Sequence, residues 1–116
     1  AIFAALLSHP RLRTNVRADA VTILGIYYAE QLGDAAAAVR LMQEAVALMP
    51  RDVSRHLNLA QAQAMVPDER AAAASLREAE RLDFLGGQRG RIVKIRADLA
   101  RLHASPAGEA RATPAP

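Results

Sequence analysis

The sequence predicts an all-α fold of about five to six antiparallel helices stacked as a short solenoid. Three observations lead there. Asp34, Ala38, Met42, Ala45 and Leu48 are answered 34 residues later by Asp68, Ala72, Leu76, Ala79 and Leu82. The matched positions advance by three or four residues, the spacing of one helical face, and a period near 34 is the mark of stacked helix-turn-helix units. Apolar residues make up 52% of the chain but aromatics only 3%, so the apolar content is mainly alanine, which favours closely packed helices. Finally, no alternating run is long enough for a strand: Val21–Ile23 and Ile92-Val93 are short and lie inside helical patterns.

Residues 1–8 read as a helix or the end of one, stopped at His9-Pro10 because proline cannot continue a helix. Residues 11–14 read as a connector. Thr14 or Asn15 then caps a helix with Val21, Leu24, Tyr28 and Leu32 on its inward stripe, closed by Gly33. Asp34 caps the next helix, which runs to Met49 with Val39, Met42, Val46 and Met49 on one side, and Pro50 ends it. Asp52 caps a helix to about Val66 that carries Val53, Leu57, Ala60 and Ala64. Pro67-Asp68 restarts the chain into a helix over about 69–83, facing inward through Ala72, Leu76, Ala79 and Leu82. The run LGGQRG at 85–90 is a joint. A last helix over 91–104 has Ile92, Ile95, Leu99 and Leu102 on one stripe, with Arg91, Lys94, Asp98 and Arg101 on the other face. From Ser105 the composition turns to Pro, Ala, Gly and Thr, so 105–116 is expected to be a disordered tail.

Composition narrows the function. The chain lacks cysteine, which removes disulfide and thiolate chemistry. No apolar run approaches the roughly 18 residues of a membrane span, so no membrane insertion by this segment is expected. The Ile2–Leu7 run lacks the basic lead of a signal peptide. The net charge is +3, and every basic residue except Lys94 is arginine. Heavy Arg and Ala usage points to a gene rich in G and C. Acidic residues share the same helices, so no nucleic-acid partner is expected. His9, His56 and His103 are too scattered for a metal site, and no hydrolase or metalloprotease motif occurs. The run GGQRGR at 86–91 lacks the Lys-Ser/Thr of a phosphate loop and is not preceded by a strand. The expectation is therefore a protein without enzymatic activity, cofactor or metal. Tyr28 reads as core and Tyr27 as partly exposed, while Arg11, Arg13 and Arg17 cluster near the connector.

With these residues placed, the chain resembles the tetratricopeptide repeat (TPR) family. The first repeat reads LGIYYAEQLGDAAAAVRLMQEAVALMP, in which Leu24-Gly25, Tyr28, Gly33-Asp34, Ala38, Met42, Ala45 and Pro50 fill the family's places. The second reads NLAQAQAMVPDERAAAASLREAERLDF, in which Asn58-Leu59-Ala60, Ala72, Leu76 and Ala79 match and Phe84 stands where proline is usual. The repeats cover about 19–50 and 53–84. Residues 1–10 then form a partial preceding repeat and 91–104 a capping helix, all within one domain over 1–104. The first helices match at an offset of 35 (Leu24 to Leu59), so the first repeat carries one extra residue in its internal turn, at Ala29–Leu32.

The resemblance implies a protein–protein interaction or scaffold module that binds a peptide or helix in a concave groove. Family members use the inner helix of each repeat, which here implies Asp19, Thr22, Ile26, Ala29 and Glu30, then Ser54, Leu57, Asn58, Gln61 and Met65. Asn58 and Gln61 would supply hydrogen bonds. Two other readings stand beside it: a soluble domain appended to a larger bacterial enzyme, such as a membrane glycosyl-transfer or polymerase protein, and a self-association module pairing two copies through Ile2, Phe3 and Leu6 of the N-terminal helix. The chain is read as a bacterial piece of a longer or processed protein, cytoplasmic or periplasmic.

Overall fold

Pro10 begins a helix. The computed structural model describes residues 9–104, and in it α1 (Pro10–Glu30) starts on the proline. Proline is pre-set for the first helical position, where its missing N–H is not needed. The expected connector at 11–14 is therefore the first turn of α1. Thr14 does not cap; its hydroxyl donates to the Pro10 carbonyl at 3.0 Å. The partial repeat at 1–8, the apolar Ile2, Phe3 and Leu6, and the tail at 105–116 lie outside the described residues.

Four more helices complete the fold: α2 (Ala35–Leu48), α3 (Val53–Met65), α4 (Glu69–Leu82) and α5 (Arg89–Ala104). The described residues form no strand, and the fold is all-α. Short links make each helix antiparallel to the next. α1 packs along α2, α2 against α3, α3 along α4, and α5 against both α4 and α3.

Each expected aspartate cap is in place. Asp34 accepts from the Ala37 N–H at 3.0 Å, Asp52 from Ser54 at 2.9 Å and Asp68 from Ala71 at 3.1 Å. Asp34 and Asp68 even share backbone angles, φ −98° ψ 79° and φ −99° ψ 79°. The extra residue of the first repeat is visible just ahead of them. The Asp34 N–H donates to the carbonyl of Tyr28, six residues back, whereas that of Asp68 donates to Gln63, five back. Gly33 absorbs the insertion at φ +64°, a conformation open to glycine at little cost. Asp34→Ala is expected to cost about 1 kcal/mol and to lower the melting temperature by roughly 4–8 °C, read by circular dichroism.

Burial also repeats. Ala38 and Ala72 are both 0% exposed, as are Ala45 and Ala79, and Met42 and Leu76 are both 4%. Small residues dominate because they set how closely helix backbones approach. This corrects two expected stripes. On α1 the inward face is Ala18, Thr22 and Gly25, with Tyr28 half-buried, while Leu24 and Leu32 are 45% and 54% exposed. On α2 it is Ala37, Ala38, Met42 and Ala45, with Val39 and Val46 at its margin. α3 lies among the other helices and is buried on more than one side, including His56 and Gln63. Gln63 accepts from the Ser75 hydroxyl at 2.6 Å, and the His56 ring donates from Nε2 to the Pro50 carbonyl at 2.8 Å. His56 is thus a buried brace of the α2–α3 link, not a surface residue. The larger core cluster joins Leu57, Ala60, Leu76, Ala79, Ile92 and Ile95, which docks α5 as its expected stripe implies.

Candidate functional site

A groove of about 280 Å³ opens where α1, α3 and α5 converge. Its floor is apolar: Ala29 from α1, Met42 from α2 and Ala62 from α3. Ile26 and Met65 form its sides, 40% and 51% exposed. Glu30, Asn58, Gln61 and Arg91 provide the polar part of the lining. Two pairs of these positions are equivalent under the 35-residue offset of the first helices: Ile26 with Gln61, and Glu30 with Met65. Both repeats therefore contribute to the groove from the same places on their first helix.

Arg91 organises the rim. Its Nη2 donates to the carboxamide oxygens of Asn58 and Gln61, the latter at 2.9 Å. Both acceptors are neutral. Partial burial pulls the Arg91 pKa below the ordinary arginine value, since desolvation disfavours the charged form. Charged arginine has only donors, so Arg91 fixes the two amides with their oxygens toward itself.

Six of the ten expected partner-binding residues meet here: Ile26, Ala29, Glu30, Asn58, Gln61 and Met65. Thr22 and Leu57 do not, because they are 6% and 0% exposed. They too are equivalent at the 35-residue offset, so the expected face extends one turn too far into the core in both repeats. Thr22 donates to the Ala18 carbonyl at 2.7 Å and accepts from Arg55 Nη1 at 3.2 Å. Arg55 also pairs with Asp19 and lies 3.6 Å from Asp52, tying α1 to α3 over the stretch where the concave face is expected to continue. Ser54 is half-buried and lines a different recess with Leu82, Phe84 and Gln88. Met42, Ala62 and Arg91 are lining residues that the sequence does not single out for binding. Met42 carries a signal, its pairing with Leu76 at the 34-residue period. Arg91, which the sequence pattern places on the solvent face of α5, turns instead toward α3.

The remaining sequence candidates have structural places. The run at 86–91 is the α4–α5 link and the start of α5. Asp83 occupies it from within, its Oδ2 accepting from the Gln88 N–H at 2.9 Å and its carbonyl from Gly86 at 2.9 Å. The Gln88 and Gly86 N–H groups are thereby turned to structural bonds. Tyr27 is half-exposed and meets the half-buried Tyr28 edge-to-face at 6.3 Å. Arg11, Arg13 and Arg17 are exposed on α1, and Arg17 pairs with Glu44 at 3.3 Å. Among the described residues no three His, Asp or Glu side chains gather as metal ligands, and no helix is long and apolar enough to cross a membrane.

No family model, curated protein or solved structure matches this chain significantly. The groove must therefore be interpreted from its own chemistry. It has an apolar floor able to bury one or two aliphatic side chains, and amide and charged groups placed to fix a backbone or polar side chain. That combination suits a ligand site.

Proposed function

We propose that the chain is a TPR-like interaction module, without catalytic activity, that holds an extended peptide or an amphipathic helix of a partner protein in the groove between α1, α3 and α5. The observation that carries this reading is the groove itself: apolar floor, polar rim, and side chains drawn from equivalent positions of two repeats. The shared cap geometry and burial 34 residues apart support the repeat architecture on which the reading rests. A partner would place aliphatic side chains over Met42 and Ala62 between Ile26 and Met65. The NH₂ groups of Asn58 and Gln61 would donate to its carbonyls.

The test uses a displayed library of random peptides selected against the wild-type chain and against Met65→Asp. Met65 is half-exposed, so the substitution leaves the core intact while charging the groove wall. Wild type is expected to enrich peptides with paired aliphatic residues, and Met65→Asp to lose them. Equal enrichment by both proteins, or none by either, would exclude the groove as the binding site.

A further inference from the structure

Helix α1 carries a second apolar face that is largely exposed among the described residues. At about 100° per residue, Val16, Ala20, Ile23 and Tyr27 fall within roughly 60° of one another, on the side of the helix opposite the buried Ala18, Thr22 and Gly25. Val16, Ile23 and Tyr27 are 39%, 68% and 50% exposed. A helix apolar on opposite faces is built to be covered on both. The outward residues are spaced 4, 3 and 4, the a/d rhythm of a helix–helix seam. Continuing that rhythm by one step at each end reaches Arg13 and Glu30, both exposed.

We propose that this face binds the same face of a second copy, α1 against α1 in antiparallel orientation. The stripe is self-complementary under a two-fold axis near its centre. Val16 then lies opposite Tyr27 of the second copy and Ala20 opposite its Ile23, so large residues face smaller ones. Arg13 lies opposite Glu30 at each end, giving two opposite-charge contacts. A parallel pair would instead set Arg13 on Arg13 and Glu30 on Glu30, and like charges reject it. This surface is independent of the groove, apart from Glu30 at the groove edge. It also lies wholly within α1, separate from Ile2, Phe3 and Leu6, the N-terminal residues that the sequence suggests for pairing two copies. One helix per subunit makes a small interface, so dissociation is expected on the order of 10–100 µM.

The test is sedimentation equilibrium of the full 116-residue chain up to about 500 µM. Wild type is expected to approach the dimer mass. Ile23→Glu should be monomeric with unchanged helicity and melting, because Ile23 faces away from the core. Arg13→Glu and Glu30→Arg should each weaken the dimer by about tenfold, and the double swap Arg13→Glu/Glu30→Arg should restore it. A wild type that remains monomeric throughout overturns the proposal. A dimer indifferent to Ile23→Glu overturns it too, since another surface then carries the contact. A double swap as weak as the single variants excludes the antiparallel register.

Discussion

Leu57→Ala is expected to be among the most damaging single substitutions in this chain. Leu57 is 0% exposed at the centre of the cluster where α3, α4 and α5 meet, packed with Ala60, Leu76, Ala79, Ile92 and Ile95. Truncation removes apolar burial and leaves a cavity that surrounding alanines are too small to fill. Such changes cost about 2–5 kcal/mol, or a fall in melting temperature of about 10 °C or more for a domain this size. Urea or thermal unfolding by circular dichroism would show it. Near-normal stability combined with lost partner binding would return Leu57 to the surface and overturn the register assigned to α3.

Gly25→Leu is the second large effect, and it acts by overfilling. Gly25 is buried where α1 crosses α2. A β-carbon there would lie 2.9 Å from Met42 Cε, 3.3 Å from its Sδ and 3.4 Å from Leu41 Cβ. The first two atoms belong to the flexible end of a methionine, so Gly25→Ala needs only a small movement of Met42. The gain in helix propensity, up to about 1 kcal/mol, offsets it. A leucine must displace the whole Met42 side chain, which also forms the groove floor. Overpacking of this kind costs about 1–3 kcal/mol. The pair of variants is the informative comparison: Gly25→Ala near wild type and Gly25→Leu melting well below it. Similar melting for wild type and Gly25→Leu would mean that α1 and α2 do not approach closely at Gly25.

Legibility in the sequence is governed by local bonds and by repetition. The caps at Asp34, Asp52 and Asp68 each depend on one side chain and an N–H two or three residues ahead, so composition alone locates them. Pairs such as Ala45 and Ala79 declare their burial by recurring. The extra residue of the first repeat shows as a change of offset from 34 to 35, and Gly33 marks where the backbone accommodates it. Pro10 misleads because proline both ends and begins helices, and only the packing of residues 11–30 decides between the two. The inward face of α1 misleads because hydropathy rewards Leu24 and Leu32, whereas close helix approach selects Ala18, Thr22 and Gly25. Thr22 and Ile26 are one turn apart and only about 40° around the helix; a face drawn to include both spans core and groove. Arg91 reaches Asn58 only through the angle at which α5 docks, a non-local property that no spacing records.

The most direct measurement of the central claim is a fluorescence-anisotropy titration of a library-selected, labelled peptide against wild type and Met65→Asp, with melting curves of both proteins alongside. Binding in the groove predicts that Met65→Asp raises Kd by about tenfold or more while the melting temperature stays within a few degrees of wild type. Equal Kd values for the two proteins would contradict it.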